Sequence, residues 1–311
     1  MLQVFDDVKN FPFDEKSVIT LGSFDGIHFG HQLIIDSVVR EAELLGGSSV
    51  LITFNPHPQE IIQKNGKVFH LLTTLSEKME ILRKTGLNKV LVLPFTREFS
   101  QMSAEEFIES VLLDKIGVKK VIIGHDHMFG HNRGGSFGIL HEYGNRHHFE
   151  VEVVQAQQLD GIVVSSTKIR QAIENGEIAF ANRLLGREYS LIGMVMRGDG
   201  IGHKLGFPTA NIHFDHPKKL LPKDGVYLVR VSVSGDDRFG MCNLGFRPTF
   251  NGVDHRIEVN IFNFDRDIYG SSISISFIER LRDEMKFASV DDLKLQLSND
   301  KISAEKLISN I

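Results

Sequence analysis

The 311-residue chain has a single cysteine, Cys242. That excludes an internal disulfide and a zinc site built from several thiolates. Cys242, inside the run RFGMCNLG, is expected to be a small core hydrophobe in a strand rather than a nucleophile. No apolar run approaches the ~20 residues of a membrane span. The N-terminal MLQVFDDVKNF has no basic segment followed by an apolar one, which predicts no secretory leader. G-x-x-x-x-G-K-[ST] is absent, so the chain is not a P-loop NTPase. Positive charge is scarce as well: 35 Lys+Arg against 40 Asp+Glu give a net charge of −5. Such a chain exerts no long-range pull on nucleic acid or anionic lipid, so any phosphate must be held by a local constellation. These absences predict a cytoplasmic, reducing compartment and neither nucleic acid nor membrane as partner.

What is present is an ordinary globular composition, 41% hydrophobic and 24% charged. At roughly 150 residues per domain, the length predicts two domains. From about 17 to 186, strand and helix patterns alternate. SVITLG (17–22), SVLITF (49–54), KVLVLPF (89–95), KKVIIG (119–124) and FEVEVVQ (149–155) read as strands. GHQLIIDSVVREAELLG (30–46) has a helical apolar face with Gly46 to stop it. Thr74 with Glu77 forms a capping box for a helix ended by Gly86, Ser103 with Glu106 caps FIESVLLDKIG, and KIRQAIENG is a short helix. Near-continuous apolar strands separated by helices predict a parallel sheet covered on both faces, with ligands at the carboxyl ends of its strands.

From about 190 the pattern changes to six short strands, LIGMVMRG, TANIHF, GVYLVRVSV, RFGMCNLG, RIEVNIFNF and SISISF. They predict a small barrel or sandwich. A helical stretch, ERLRDEMK through VDDLKLQLSNDKISAEKLI, closes the chain, with Ser289 and Asp292 marking a start within it. The boundary falls near 184–190, giving domains 1–186 and 187–311.

GSFDGIHFGHQ (22–32) carries the clearest chemistry. A strand ends at Gly22, Gly26 and Gly30 relax the backbone, and His28 and His31 flank the start of an amphipathic helix. Imidazoles beside helix N-terminal amides can donate to phosphate oxygens where the dipole favours an anion. The bland reading, two surface histidines in a Gly-rich turn, does not explain both of them at a strand–loop–helix junction.

G-x-F-D-G-x-H-x-G-H resembles the nucleotidyltransferase superfamily. TFNPHP (53–58), VIIGHDHMFGHNRGG (121–135) and VSSTKIRQAIENGEI (164–178) are similar to further motifs of the FMN adenylyltransferase module of bacterial FAD synthetases. GFPTANI (206–212), DGVY (224–227), NLGFRPTF (243–250), EVNIFNFDRDIYG (258–270) and FIERLRDEMKF (277–287) resemble the riboflavin kinase module fused behind it. The resemblance spans nearly the whole chain in the right order. It implies an α/β Rossmann-like nucleotidyltransferase domain followed by a small antiparallel β-barrel domain with a C-terminal helix. It further implies ATP as co-substrate, Mg²⁺, riboflavin and FMN as substrates, and FMN and FAD as products. A monomer or weak homo-oligomer is expected.

The resemblance also implies residue roles. His28 and His31 would act on the ATP phosphates of the adenylyltransferase, with Gly22, Phe24, Asp25 and Gly30 around the same ATP. Ser166 and Thr167 offer hydroxyls and amides at a helix start, and Arg170 offers a charged fork for polyphosphate. Asn55, Pro56, His57 and Pro58 form the loop that the family places near the flavin and the nucleotide. Asp126 matches a polar position near ATP, while His127 stands where the family more often has an aromatic, which bears on flavin or adenine packing. A metal on His125, Asp126 and His127 is not expected, because adjacent loop residues rarely chelate one ion together. In the second half, Gly198, Gly200, Gly202 and Gly206 let amides approach phosphate, with Lys204 and Pro208 in the same kinase ATP loop. Thr209 and Asn211 alternate by two on one strand face and present hard oxygens suited to Mg²⁺. Glu258, expected to open its strand just after a polar turn, matches the family's base for the ribityl 5′-hydroxyl. Arg247 and Arg282 are weaker candidates for phosphate or flavin contacts.

Two other readings remain open at this point. One is an adenylyl- or cytidylyltransferase for another phosphate, its second domain only a binding barrel. The other is a flavin-binding sensor or carrier without turnover.

Overall fold

The computed structural model describes the chain apart from residues 63–67, 126, 132–133, 199–201, 203–204, 215 and 250–251. For 246–249 and 252–255 it describes backbone alone. Asp126, Gly200 and Lys204 therefore lie outside the described residues, as does the side chain of Arg247. Two compact units emerge, Met1–Ser166 and Thr167–Ile311.

The first unit is built on a six-stranded sheet: β1 Gln3–Phe5, β2 Ser17–Leu21, β3 Ser49–Asn55, β4 Lys89–Pro94, β5 Val118–Gly124 and β6 Glu150–Val154, in the order β1-β4-β3-β2-β5-β6. Every pairing in it is parallel. Alternate residues of the central strands feed two cores. Ile19, Leu21, Val50, Ile52, Leu91 and Leu93 pack with Ile108, Leu112, Leu140 and Tyr143. Val18, Leu51, Val90 and Val92 pack with Ile35, Val38, Met79 and Leu82. Both sheet faces are thus dry, the reason these strands read as continuous apolar runs.

The helices are α1 Phe29–Leu45, the four-residue α2 Pro58–Ile61, α3 Leu75–Leu82, α4 Ala104–Phe107 running on as a π-helix over Ile108–Ile116, and α5 Phe137–His147. Gly46 closes α1 with a left-handed φ of 62°. The Thr74–Glu77 capping box is present. However, α3 ends at Leu82 with Arg83 as its cap, and Gly86 (φ 80°) instead turns the chain towards β4. Helix α5 has no sequence counterpart above, although two adjacent parallel strands such as β5 and β6 need a crossover of a dozen or more residues. A two-stranded ribbon, β7 Gln158–Leu159 with β8 Ile162–Val163, follows β6.

Helix α6, Ser166–Asn175, starts at the last residue of the first unit, and α7, Ile178–Leu185, follows. The second unit is a closed antiparallel barrel: β9 Tyr189–Met196, β10 Ala210–His213, β11 Gly225–Val233, β12 Asp236–Thr249, β13 Gly252–Ile261 and β14 Ser272–Arg282, joined as β10-β13-β12-β11-β14-β9. The choice between barrel and sandwich is settled by the β9–β10 pairing that closes the ring. Cys242 is fully buried in β12.

Two readings are corrected here. The stretch beginning at Glu279 is not helical, because β14 continues to Arg282, pairing Glu279, Arg280 and Arg282 with Leu228, Tyr227 and Val226 through two register shifts. Helix α8, Val290–Ile308, starts at Ser289, whose hydroxyl accepts from Asp292 N. Glu258 sits well inside β13 rather than at its start, because the polar DHR segment stays in register with β12. Helix α7 packs with β14 and β9 in the second unit. No described helix is long and apolar enough to cross a membrane.

Two candidate active sites

The first site lies where β2 and β3 end. Gly22 N donates to Ile52 O, which joins the strand ends, and the chain then enters a tight loop in which Phe24 and Ile27 take φ of 45° and 38°. Positive φ is costly for bulky residues and persists only where surroundings enforce it. Here both side chains are buried against α1. The loop delivers His28 as the N-cap of α1: its Nδ1 accepts from His31 N at 3.3 Å. That bond uses the Nδ1 lone pair, so neutral His28 carries its proton on Nε2 and presents a donor. The rings of His28 and His31 stack at 3.6 Å, with Phe24 tilted against His31 at 4.9 Å. Gly30 lies in the first turn, where a Cβ would be 3.4 Å from the His28 ring.

Asp25 faces inwards. It is 1% exposed, and its carboxylate accepts from Leu72 N, Thr73 N and Thr73 Oγ1. Its backbone carbonyl accepts from Ser166 Oγ at 2.9 Å, tying the start of α6 to the loop. Asp25 thus organises the loop rather than offering its carboxylate to nucleotide. Thr167 and Arg170 follow in the first turns of α6.

Asn55 ends β3, Pro56 follows through a cis peptide, and His57 caps α2. His57 Nδ1 accepts from Gln59 N, and Glu60 closes the capping box on His57 N. Pro58 occupies the first helical position, where its missing N–H costs nothing. The His57 ring stacks on Phe69 at 4.5 Å. His127 keeps an aromatic role, stacked on Phe129 at 5.8 Å, and Phe129 packs on Phe107. Gly130 (φ 71°) is required for space: a Cβ there would stand 2.8 Å from Ala104 N.

The second site is a cleft of about 250 Å³ on the barrel. Along β13, Ile257, Val259 and Ile261 are buried, while Arg256, Glu258 and Asn260 alternate with them and line the cleft. Glu258 lies opposite Asn211 of β10 on one side and Asn243 of β12 on the other. Arg256 Nη1 donates to Glu258 Oε1 at 3.3 Å. Thr209 immediately precedes β10 and lines the same cleft with Asn211.

The glycines of the loop are there for close approach. A Cβ at Gly198 would be 2.0 Å from Asn211 Nδ2, and one at Gly202 would be 2.4 Å from Phe207 O and 2.9 Å from Thr209 Oγ1. Gly206 takes φ 84°. Pro208 O accepts from Asn260 Nδ2 at 2.7 Å, fixing the end of the loop to β13.

The far wall is apolar, from Val226, Met241, Phe287, and Leu293 and Leu297 of α8. Arg282 lines the cleft but is committed elsewhere: its Nε and Nη2 grip buried Asp300 at 2.9–3.0 Å, and its Nη1 donates to Asp283 O. It locks α8 to β14 rather than meeting phosphate.

Residues 11–168 match the family model for FAD synthetase, and residues 185–308 match that for riboflavin kinase. A bifunctional riboflavin kinase/FMN adenylyltransferase of Haemophilus influenzae is 36% identical over 293 residues, covering 94% of each chain. This chain belongs to that family. The namesake enzyme of Escherichia coli K12 is 34% identical over 94% of this chain and 93% of its own, and that of Listeria monocytogenes 37% over 93% and 91%. A crystal structure from Streptococcus pneumoniae, named a macrolide-efflux protein, superposes with a TM-score of 0.89 at 32% identity over 98% of both chains.

The family's two activities are a kinase that phosphorylates riboflavin with ATP to FMN and an adenylyltransferase that converts FMN and ATP to FAD and pyrophosphate. Sequence reasoning missed Asn243, Asn260 and the α8 leucines of the barrel cleft. The alternation of Arg256, Glu258 and Asn260 was a usable signal for Asn260. It also missed Lys78, whose ammonium donates to Ser23 O and to Thr53 Oγ1.

Proposed function

We propose that the kinase reaction runs in the barrel cleft with Glu258 as base. The ribityl 5′-hydroxyl gives its proton to the Glu258 carboxylate as its oxygen attacks the γ-phosphorus of ATP, and ADP leaves. The observation that carries this reading is the convergence of Glu258, Asn211 and Asn243 from three adjacent strands onto one cleft. Gly198, Gly202, Gly206, Pro208 and Lys204 form the loop that takes the ATP phosphates. The apolar wall suits a flat heteroaromatic ring, as ligand clefts are mostly apolar with a few placed polar groups.

Thr209 Oγ1 and Asn211 Oδ1 would hold Mg²⁺. They are hard oxygens, and the close approach of Gly202 to Thr209 and of Gly198 to Asn211 fixes both side chains beside the loop. When bound, the ion would neutralise charge on the transferring phosphoryl group.

The adenylyltransferase reaction belongs to the first site. The FMN phosphate, already an anion, attacks the α-phosphorus of ATP and pyrophosphate leaves, so no enzyme nucleophile or base is required. His28 Nε2 and His31 stabilise the polyphosphate at the start of α1, where backbone amides and the helix dipole also favour anions. Gly22, Phe24, Asp25 and Gly30 shape that loop, and Asp126, Ser166, Thr167 and Arg170 complete the nucleotide site. Asn55, Pro56, His57 and Pro58 form the flavin side.

The residues of the two reactions divide between 1–186 and 187–311, although α7 of the first stretch stabilises the barrel, and the enzyme works in the cytoplasm as a monomer or weak homo-oligomer, without nucleic acid or membrane. Product analysis with riboflavin, ATP and Mg²⁺ tests the whole reading. FMN followed by FAD supports it; omission of Mg²⁺ should abolish FMN formation.

A further inference from the structure

Between the end of β3 and α3 lies a narrow cavity of about 10 Å³, lined by Asp25, Asn55, His57, Glu60, Thr73 and Lys78 among others. Lys78 is an oddity there. It projects from the middle of α3, is 5% exposed, and sends its ammonium under the loop that carries His28. Its Nζ donates to Ser23 O at 2.6 Å and to Thr53 Oγ1 at 3.1 Å, and Thr53 Oγ1 in turn donates to Ser23 O at 3.1 Å. Asp25, two residues beyond Ser23, grips the chain just before α3 through Leu72 N, Thr73 N and Thr73 Oγ1. Thr73 Oγ1 also accepts from Gly26 N at 3.0 Å. One cation and one carboxylate therefore stitch three segments together: the 22–28 loop, the end of β3, and the entry to α3. These segments carry the histidines on one side and the Asn55–Pro58 loop on the other.

A buried amine is costly unless it has a task. A methionine would fill the space without desolvating a charge. We infer that Lys78 is a positioning residue of FAD formation, whose charged form holds the His28 loop and the end of β3 in register for adenylyl transfer. The inference rests on the assignment of the 22–28 loop as the nucleotide site.

The electrostatics give it a signature. Burial pushes the Lys78 amine down from 10.5 to about 8, a shift that the Asp25 charge opposes. The charged groups around it are Asp25 from the loop, Glu77 from its own helix, and His57 and Glu60 across the cavity. Lys78→Arg separates the amine from these neighbours, because a guanidinium keeps its charge over the whole range. Above about pH 8 the amine loses its proton, Asp25 loses its counter-charge, and FAD formation should fall.

Stability should move the other way. The lowered amine binds fewer protons in the folded than in the unfolded chain between pH 8 and 10.5, so Lys78 contributes rising stability over that window. A merely structural lysine would give the stability change without the loss of rate.

The experiment measures kcat/KM for FAD formation from FMN and for FMN formation from riboflavin on the same full-length protein, from pH 7 to 10. FAD formation should drop about tenfold per pH unit above pH 8 while FMN formation does not follow it. Lys78→Arg, charged throughout, should lose this alkaline limb at whatever rate it retains. Lys78→Met should lower kcat for FAD formation at pH 7.5 by about tenfold or more, with far-UV circular dichroism and a thermal melt against wild type reporting that the first unit is folded.

A wild-type profile flat through pH 8–10, or the same limb in Lys78→Arg, overturns the inference, and the wild-type profile needs no variant to fold. If His28→Ala loses FAD formation while Lys78→Met does not, the site stands and the role of Lys78 falls. If neither variant slows FAD formation, the site assignment itself is wrong.

Discussion

Asn211 and Glu258 are direct cross-strand partners in the β10–β13 ladder, and both line the barrel cleft. Antiparallel partners hold their Cβ atoms about 5 Å apart. The base proposed for the ribityl hydroxyl and an oxygen proposed for the metal are therefore fixed by backbone pairing rather than by loop conformation. Asn243 completes the row from β12.

Glu258→Gln should preserve shape and remove the proton acceptor. FMN formation from riboflavin should fall by 10²-fold or more, the usual range for a general base, while conversion of supplied FMN to FAD continues. Feeding the variant riboflavin and FMN separately checks this. Full-rate FMN production would reduce Glu258 to the partner of Arg256 seen at 3.3 Å.

His28 both caps α1 and presents Nε2, and the two roles can be parted. His28→Asn keeps an N-cap acceptor, whereas His28→Ala loses the cap at a cost of about 1 kcal/mol. Both variants should lose about 10²–10³ in FAD formation, as expected for removing a positioned donor, with kinase activity spared. Steady-state rates alongside thermal melts separate the effects. A His28→Asn protein with wild-type FAD synthesis would remove the histidine from the mechanism.

The barrel should need α6 and α7 to be stable. Helix α7 buries Ile178, Leu184 and Leu185, and Asn182 donates to Phe277 O and accepts from Tyr189 N. Each fully buried aliphatic side chain contributes about 1.5–3 kcal/mol. A fragment of residues 167–311 should fold and phosphorylate riboflavin. One of residues 187–311 should melt far lower or aggregate, which circular dichroism on the two fragments would reveal.

Asp300→Ala should destabilise the second unit by about 3–5 kcal/mol, because it leaves Arg282 without the carboxylate it grips. Gln296 Nε2 loses its acceptor as well. Helix α8 then loosens from the wall that bears Leu293 and Leu297, so the KM for riboflavin should rise more than kcat falls. Denaturant titration and kinase kinetics on the same variant test both statements.

Much of this was legible from the sequence because the signals are local. Apolar runs at β2, β3 and β4 declare strands buried on both faces, the capping box at Thr74 and the N-cap at Ser103 declare helix starts, and the Gly-His-rich loop marks the β2–α1 junction. The motif order also named the family before any coordinate did. Glu279–Arg282 misled because their charge and length suit a helix, yet pairing with β11 holds them extended. Propensity is a weak prior that tertiary context overrides. Helix α5 was missed because its composition is polar, and only the parallel β5–β6 pairing demands a crossover there.

The amino-acid sequence by itself determined the two modules, their chemistry and the residue types that carry it, since motif spacing and strand or helix period are properties of neighbouring residues. Tertiary structure alone decided which polar groups line a cleft and which are spent inside. Asp25 turns in to Thr73, Arg282 is taken by Asp300, Lys78 reaches Ser23, and Asn211, Asn243 and Glu258 meet only through the pairing of β13 with β10 and β12. The physical reason is that a charged side chain can satisfy its hydrogen bonds with any partner in reach, and the partner is chosen by packing between segments tens of residues apart.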